Sequence, residues 1–402
     1  MIVVEAKSVQ NNPIVIVPGL GGSDLQASLE NAPKYRDCER NTNGTWYTIW
    51  FSQSQALARY DCFVRNMKLY VDQDSNGRIS NATGVHVRPI DFGGVNGVEY
   101  SDYGTYDLIK MPYMKDLIES LESIGYERGK SLRAATYDFR PAGISEVLAY
   151  QYQRLKELIE DTYKTNGKTS VHLLSHSLGG PYTTVFLNTA VSAEWKKTYV
   201  ASHIMLSAPL LGTPVATEGL MTGPSYDFVP QFLPRLAVPA IRTWPSMIWM
   251  IPHTDSWGNR SFVTTPETTY GVADSRRFVK DIDSPVLAAA FDDVATVIKT
   301  TPNSPGVPVF CAYANDTKTT LSVSLSTDVS NAKSVDVTAT SMGDGTVPLL
   351  SLKHCTNWPD TKLAREYSFG GSLAAHTEIV RLPALLSDIN EWVSGAFEMT
   401  NF

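Results

Sequence analysis

The stretch that most constrains the fold of this 402-residue chain is Ser-His-Ser-Leu-Gly-Gly at residues 175–180. An apolar run at residues 171–174 precedes it and is short enough for one buried strand, and residues 181–187 can continue as a helix. A sharp turn from strand to helix holds a serine hydroxyl exposed, beside a general base and backbone N–H donors. The pattern therefore predicts a nucleophilic serine at this turn.

Two serines compete for that position. Ser175 stands where such a turn usually has glycine, whereas only Ser177 has a glycine two residues later. We therefore predict Ser177 as the nucleophile. The alternative is an ordinary strand, turn and helix in which a serine caps the helix.

Apolar runs that suit buried strands alternate with amphipathic helices along the chain. Strand candidates occupy residues 14–17, 132–136, 171–174, 203–209, 307–313 and 366–369, and two helices are predicted within residues 112–125 and 147–166. This alternation predicts a mostly parallel sheet with helices on both faces. Together with the turn at Ser177 it indicates an α/β-hydrolase fold, formed as a single domain by residues 1–402.

A glycine-rich loop at residues 18–23 follows the first strand. In hydrolases of this architecture such a loop donates one N–H to the oxyanion of the tetrahedral intermediate. We predict the N–H of Leu20 for this role, with the N–H of Leu178 as the second donor. The alternative is a plain glycine turn.

The order nucleophile, acid, histidine selects the remaining candidates. Asp344 lies in a tight turn, where its carboxylate can be held in a fixed direction, and His376 follows it. His354 is the competing base, but it lies only ten residues after Asp344 and next to Cys355. We therefore predict Ser177, Asp344 and His376 as the catalytic set, with no metal or cofactor.

Composition and charge exclude several classes of protein. The net charge of −7 is spread along the chain without a basic stripe, so nucleic-acid binding is not expected. No run of 18 uncharged apolar residues occurs, so the protein is expected to be peripheral to membranes and not to span them.

Cysteines and sequons indicate the compartment. There is no Cys-x-x-Cys pattern, which argues against zinc, and four cysteines allow two disulfides in three pairings. Four Asn-x-Ser/Thr acceptor patterns begin at Asn43, Asn81, Asn259 and Asn315. These features predict a lysosomal or secreted glycoprotein.

Two segments outside the predicted sheet are rich in apolar residues. The aromatic run at residues 46–51 could face a bilayer interface or pack inward, and the sequence leaves both open. Residues 215–260 hold many Gly, Pro and large apolar residues, which is typical of a lid or of a permanently packed cap. Either arrangement favours an apolar substrate.

Jointly, these motifs resemble the lecithin:cholesterol acyltransferase-like family, which includes lysosomal phospholipase A. The motifs that carry the resemblance are Pro18-Gly19, Tyr47-Thr48-Ile49-Trp50, Arg133-Ala134-Ala135 with Tyr137-Asp138, Ser175-His176-Ser177-Leu178-Gly179, Gly343-Asp344-Gly345-Thr346-Val347 and His376.

The resemblance implies further structural features. They are a membrane-binding insert at residues 36–85, a cap and lid region at residues 213–300, and the disulfides Cys38–Cys62 and Cys311–Cys355. The lipid- or membrane-binding side chains are expected to be Trp46, Ile49, Trp50 and Phe51, with Trp50 at a membrane-facing or acyl-site position.

The resemblance also implies an activity. It is that of a phospholipase A or O-acyltransferase, which cleaves a fatty-acyl ester of a glycerophospholipid and passes the chain to water or a lipid alcohol. The expected partners are a lipid substrate and a phospholipid membrane or lipoprotein surface, and the protein is expected to be a monomer. The alternatives are a neutral-lipid lipase and a catalytically inactive lipid-binding protein.

Overall fold

A computed structural model describes residues 11–72, 77–102, 111–223, 233–372 and 375–394. Within these ranges the strands are, in chain order, β1 (Ile14–Val17), β2 (Leu25–Leu29), β3 (Tyr47–Trp50), β4 (Leu69–Asp72), β5 (Arg78–Asn81), β6 (Val85–Pro89), β7 (Tyr100–Asp102), β8 (Met111–Pro112), β9 (Leu132–Ala134), β10 (Val171–His176), β11 (Val200–Leu206), β12 (Ser261–Thr264), β13 (Thr269–Gly271), β14 (Val309–Ala314), β15 (Thr317–Ser324), β16 (Asp336–Gly343) and β17 (Thr361–Tyr367).

The α-helices of the same ranges are α1 (Gln53–Ala58), α2 (Tyr60–Met67), α3 (Asn96–Glu99), α4 (Lys115–Ser123), α5 (Ser145–Thr165), α6 (Gly179–Thr189), α7 (Ala193–Tyr199), α8 (Pro214–Thr222), α9 (Leu233–Ile241), α10 (Pro245–Met250), α11 (Ser275–Asp281), α12 (Pro285–Ile298), α13 (Leu349–Leu352), α14 (Ala375–Glu378) and α15 (Pro383–Val393).

The central sheet has six strands in the order β9-β1-β10-β11-β14-β17, and every neighbouring pair is parallel. Strands β1, β10 and β14 are buried along their whole length, as continuous apolar runs covered on both faces should be. The predicted mostly parallel sheet is confirmed. Because β1 and β10 are neighbours, the loop after β1 and the turn after β10 meet at one edge of the sheet.

Among the described residues, apolar clusters cover both faces of the sheet. Val15 and Val17 of β1 contribute to one core, and Ile14 and Ile16 to the other, because successive side chains of a strand point to opposite faces. Helix α5 packs into the first core, while α4 and α15 pack into the second. Helices therefore cover both faces, as predicted.

The segment at residues 36–85 contains β3, α1, α2, β4 and β5 around a Cys38–Cys62 disulfide. Its aromatic run packs inward, since Ile49, Trp50 and Phe51 are 0%, 5% and 8% exposed. Of the two arrangements that the sequence leaves open for this run, the structure shows inward packing for these three side chains. The aromatic side chains are buried because they pack in a cluster of rings. In this cluster the Trp50 ring contacts the rings of Phe51, Phe63, Phe139 and Trp244.

Trp46, the fourth residue expected to bind lipid, is neither fully buried nor fully exposed. The guanidinium group of Arg88 lies 4.0 Å from the centre of its ring. This cation–π contact already occupies one face of the indole.

The described residues of the segment 213–300, namely 213–223 and 233–300, include helices α8 to α12 and the short strands β12 and β13. Several of its large apolar side chains are buried in the same core as α5, namely Met221, Trp244, Met247, Ile248, Trp249 and Met250. This burial favours a packed cap for the described part of the segment. Two other large apolar residues of the predicted lid segment 215–260, Phe228 and Phe232, lie outside the described residues.

The second disulfide joins Cys311 in the middle of β14 to Cys355, which follows α13. Both cysteine pairings therefore agree with those implied by the family resemblance. In the part of the chain that the structure describes, no helix is long and apolar enough to cross a membrane.

Candidate active site

The turn after β10 has the geometry that the sequence predicts. Ser177 adopts a left-handed backbone conformation, with φ +53°, between the end of β10 and the start of α6. A non-glycine residue in this region is strained, and such strain is typical of functional sites. A Cβ atom on Gly179 would lie only 2.3 Å from the carbonyl oxygen of Val17, so the helix can approach β1 only with glycine there.

Ser177, His376 and Asp344 form one chain of hydrogen bonds. The Nε2 atom of His376 lies 3.0 Å from Ser177 Oγ, and its Nδ1 atom lies 2.7 Å from Asp344 Oδ2. All three side chains are buried. The structure thus brings together the three residues that the sequence selected, although 199 residues separate Ser177 from His376.

The carboxylate of Asp344 is held in one orientation. It follows β16 in a tight turn, where its Oδ1 atom accepts hydrogen bonds from the backbone N–H groups of Thr346, at 3.0 Å, and Val347, at 2.6 Å. The Oδ2 atom is thereby directed to His376. A carboxylate fixed in this way selects the imidazole tautomer that carries its proton on Nδ1 and leaves Nε2 free to accept one.

The competing candidates lie elsewhere. Ser175 is fully buried and its Oγ atom lies 2.8 Å from Nε2 of His203, and burial lowers the pKa of that histidine to about 3. The Nε2 atom of His354 lies 2.9 Å from the carbonyl oxygen of Pro302. Within the described ranges, neither the Ser175 nor the His354 side chain is hydrogen-bonded to Ser177, Asp344 or His376.

The glycine-rich loop after β1 lies against the turn. A Cβ atom on Gly19 would come within 2.7 Å of Ser177 Cβ, which shows how closely the two backbones approach. The loop is fixed by side chains from other elements: the Tyr137 hydroxyl donates to the carbonyl oxygen of Pro18, and the Trp50 indole N–H donates to that of Gly21. Trp50 therefore supports the loop from within the core.

The two predicted oxyanion donors are Leu20 in this loop and Leu178 at the start of α6. Among the described residues, neither backbone N–H has a hydrogen-bond partner. The N-terminus of α6 adds its positive dipole end at the same place. This edge of the sheet can therefore receive a negatively charged oxygen beside Ser177.

Two residues at the site were missed by the sequence analysis. The hydroxyl of Tyr113 lies 3.1 Å from the backbone nitrogen of Gly19 and 2.7 Å from Nδ1 of His176. The other ring nitrogen of His176, Nε2, lies 2.8 Å from the backbone carbonyl oxygen of His376. No local signal marks Tyr113, because it is 63 residues from the turn in sequence.

The start of β15 also supports the site. Thr319 Oγ1 accepts a hydrogen bond from the N–H of Gly345, next to the acid, and Thr317 Oγ1 donates to the carbonyl oxygen of Ser372, in the segment before the histidine. Asp316 accepts hydrogen bonds from the backbone of the same segment. One strand end therefore holds the segments that carry both Asp344 and His376.

A serine hydroxyl beside an imidazole, an oriented carboxylate and backbone N–H groups that can bind an oxyanion can perform acyl transfer. In the described ranges, no group of three or more His, Cys, Asp or Glu side chains is arranged to hold a metal ion.

The parallel sheet and the serine turn together define an α/β-hydrolase. The chain aligns with a chain in the crystal structure of the Tle4-Tli4 complex at a TM-score of 0.54, over 97% of this chain and 99% of that one. At 12% identity this likeness supports the fold alone. Residues 46–296 match the family described as lecithin:cholesterol acyltransferase, and the chain belongs to that family.

Relatives of known name agree with this assignment. The chain is 32% identical to lecithin-cholesterol acyltransferase-like 1 of Arabidopsis thaliana, over 76% of this chain and 74% of that protein. It is 30% identical to lysosomal phospholipase A and acyltransferase of Bos taurus, over 86% and 83% of the two chains. It is 32% identical to phosphatidylcholine-sterol acyltransferase of Mus musculus, over 75% and 67%.

These relatives make the protein an acyl-ester hydrolase or acyltransferase of the phospholipase A type. They favour neither a neutral-lipid lipase nor an inactive lipid-binding protein.

Proposed function

We propose that the protein cleaves a fatty-acyl ester of a glycerophospholipid with Ser177 as nucleophile, His376 as general base and Asp344 as the residue that orients the histidine. The observation that carries this proposal is the hydrogen-bonded chain from Ser177 Oγ to Asp344, at the edge of the sheet where the N–H groups of Leu20 and Leu178 have no partner among the described residues.

The first half-reaction forms an acyl-enzyme. His376 Nε2 takes the proton of Ser177 while Oγ attacks the ester carbonyl carbon, and Asp344 stabilises the imidazolium that results. The N–H groups of Leu20 and Leu178 bind the oxyanion, and each such donor contributes about 2.7–4 kcal/mol to the transition state. The imidazolium then protonates the departing alkoxide, and lysophospholipid leaves.

The second half-reaction repeats these steps with water or a lipid alcohol as the attacking group. The acyl group passes from the phospholipid ester to water, giving a fatty acid, or to a lipid alcohol, giving a new ester. Neither reaction changes an oxidation state, so the proposal includes no cofactor. The names of the relatives support both outcomes, since one is called a phospholipase A and acyltransferase and another a phosphatidylcholine-sterol acyltransferase.

We propose that the protein docks on lipid surfaces through the region of the first disulfide. Because Ile49, Trp50 and Phe51 are buried and one face of the Trp46 ring is covered by Arg88, we look to other side chains for this contact. Tyr35 and Leu57 are 42% and 50% exposed, and both lie close in sequence to the Cys38–Cys62 disulfide. Lys34 is also exposed and adds positive charge suited to a phospholipid surface, whereas the charge of exposed Arg36 is paired with Asp61.

We propose that the protein belongs to the secretory pathway, as a lysosomal or secreted monomer. Two disulfides suit an oxidising compartment. Asn43 and Asn259 are exposed and accessible to a glycan. Asn81 Oδ1 accepts a hydrogen bond from Arg140, and Asn315 Nδ2 donates one to Glu366, so glycosylation there competes with existing contacts.

Product analysis tests the reaction. The protein is incubated with phosphatidylcholine vesicles, with and without a sterol or ceramide, at acidic and neutral pH. We expect lysophospholipid together with free fatty acid or acylated alcohol, and no product from the Ser177→Ala variant. Absence of lysophospholipid at both pH values would contradict the proposed substrate.

Vesicle flotation tests the docking surface. Leu57→Asp is expected to weaken binding to phosphatidylcholine vesicles while leaving hydrolysis of soluble p-nitrophenyl butyrate unchanged, because α1 carries no residue of the proposed catalytic set. The matched control is Gln53→Asp, which adds the same charge to the same helix at a polar position. Equal vesicle binding by wild type and Leu57→Asp would contradict this surface.

A further inference from the structure

Tyr113 links three separate parts of the proposed active site. Its hydroxyl oxygen lies 3.1 Å from the backbone nitrogen of Gly19, which precedes the predicted oxyanion donor Leu20. The same hydroxyl lies 2.7 Å from Nδ1 of His176, the residue before Ser177. His176 in turn reaches the backbone carbonyl oxygen of His376 with Nε2, at 2.8 Å.

The donors and acceptors of this network have only one consistent arrangement. A carbonyl oxygen accepts, so Nε2 of His176 must carry a proton and donate to His376. A neutral imidazole then has Nδ1 as an acceptor, which receives the hydroxyl proton of Tyr113. The phenol oxygen keeps its lone pairs for the N–H of Gly19. Every link therefore points the same way, and such chains strengthen each bond.

Burial keeps both side chains in the required protonation states. The pKa of His176 falls to about 3, chiefly because of burial and also because of the nearby His376, so the imidazole is neutral at any working pH. Burial also raises the pKa of Tyr113, so the phenol retains its proton.

The ring of Tyr113 also sets the shape of the glycine-rich loop. A Cβ atom on Gly22 would lie 2.6 Å from this ring, so the loop backbone lies directly on it. The loop closes on itself through a hydrogen bond from the N–H of Gly22 to the carbonyl oxygen of Gly19. The Tyr113 ring therefore packs against the loop, and its hydroxyl oxygen accepts a hydrogen bond from the N–H of Gly19, the residue before Leu20.

We propose that Tyr113 and His176 are positioning residues for acyl transfer. Tyr113 fixes the position of the glycine-rich loop, and hence of the Leu20 N–H, relative to Ser177. His176 connects that loop to the backbone of His376, so that the oxyanion donor and the base keep a fixed separation. This proposal rests on the proposed function, because it assumes that Ser177, His376 and Leu20 have the roles given above.

Three substitutions separate the links. Tyr113→Phe keeps the ring under the loop but removes both hydroxyl bonds. His176→Asn keeps an acceptor near the position of Nδ1 and removes the donor to His376, whereas His176→Gln keeps a donor near Nε2 and removes the acceptor for Tyr113. Tyr126→Phe is the matched control, because it removes a buried hydroxyl bond to Asn12 at the opposite end of β1.

The experiment measures kcat and KM with p-nitrophenyl butyrate, normalised to the number of sites that a fluorophosphonate titrates. We expect Tyr113→Phe to lower kcat per titrated site about tenfold, less than the loss of an oxyanion donor itself, with KM nearly unchanged. The two His176 variants should lower kcat by smaller factors, and Tyr126→Phe should leave it unchanged. A purely structural role would reduce the number of titrated sites and the Tm, but not kcat per site.

The proposal is overturned if kcat per titrated site in Tyr113→Phe stays within about twofold of wild type, or if only KM changes. If Tyr113→Phe does not fold, His176→Asn, which retains the phenol and its acceptor, is judged by the same criterion. Wild type that is not labelled, or Ser177→Ala that is, would instead overturn the proposed function and this inference with it.

Discussion

The hydroxyl groups of Ser175 and Ser177 are bonded to different histidines, although the two serines are only two residues apart. Ser175 is the fifth residue of β10 and reaches His203 of the neighbouring strand β11 within the sheet. Ser177 has left the strand through a left-handed turn and reaches His376. The backbone turn, and not the chemistry of the hydroxyl, therefore decides which serine can meet a substrate.

Substituting each serine in turn tests this distinction. Ser177→Ala is expected to abolish labelling by a fluorophosphonate and to lower kcat on the order of 10⁶-fold, because the nucleophile is lost. Ser175→Ala should keep labelling and most activity, but should lower stability by about 1–3 kcal/mol, because Nε2 of buried His203 loses its partner. Labelling that survives in Ser177→Ala and disappears in Ser175→Ala would contradict the assignment of the nucleophile.

The parallel sheet could be predicted best where strands are buried. Strand β1 is an uninterrupted apolar run and β10 begins with a mostly apolar one, and their predicted positions agree with the structure. The sequence pattern predicts the last strand at residues 366–369, whereas β17 spans Thr361–Tyr367. As an edge strand it is partly exposed and carries Lys, Arg and Glu, which removes the apolar pattern that would have marked it.

The candidate site was predictable where chemistry restricts the residue type. Ser177, Asp344 and His376 followed from a turn pattern and from chain order, and the structure brings their side chains together. Tyr113 and Asp316 were not predictable, because their roles arise from contacts between elements distant in sequence. The sequence left the aromatic run open between inward packing and a lipid-facing position, because a hydropathy pattern does not distinguish a buried aromatic cluster from a lipid-facing one.

Asp344→Asn tests the orienting role of the carboxylate. An amide can present N–H to His376 Nδ1 and stabilise the wrong tautomer, so kcat is expected to fall about 10⁴-fold with little change in fold. The measurement is the steady-state hydrolysis of p-nitrophenyl butyrate together with the Tm. Asp336→Asn is the matched control, because Asp336 lies exposed at the start of the same strand, β16. Comparable kcat values for the two variants would refute the role of Asp344.

The two disulfides are expected to contribute differently to stability. Cys38–Cys62 spans 24 residues and Cys311–Cys355 spans 44. In the chain-entropy description, cross-links of these lengths stabilise the folded state by about 3.5 and about 4 kcal/mol. Equilibrium denaturation of the Cys38→Ser/Cys62→Ser and Cys311→Ser/Cys355→Ser variants checks this expectation. If the Cys38→Ser/Cys62→Ser variant is as stable as wild type, the folded insert does not depend on the Cys38–Cys62 disulfide.

Asp316 anchors the segment that leads to His376. Its carboxylate accepts hydrogen bonds from the hydroxyl of Ser368, at 2.5 Å, and from the backbone N–H groups of Phe369 and Gly370, at 2.9 Å and 2.8 Å. Burial acts to raise the pKa of Asp316, but these hydrogen bonds to the charged form outweigh it and lower the pKa.

A lowered pKa in the folded state makes the stabilisation by Asp316 dependent on pH in a defined direction. The contribution is fully present above the ordinary aspartate pKa of about 3.9, and is lost as pH falls through the lower pKa of the folded protein. Asp316→Asn should therefore lower the Tm by the same amount at pH 7 and pH 5, and this difference should shrink below about pH 4. The anchored segment would thus keep His376 in place in an acidic compartment.

The test is to measure the Tm of wild type and Asp316→Asn by thermal unfolding across this pH range. The control is Asp37→Asn, because Asp37 is an exposed aspartate elsewhere on the chain. Asp37→Asn should change the Tm little at any pH. A Tm difference for Asp316→Asn that persists unchanged well below pH 4 would mean that the carboxylate charge does not hold the segment. A difference that appears only below pH 4 would require the opposite sign of pKa shift, because the neutral and not the ionised form would then be the one bound by Phe369 and Gly370.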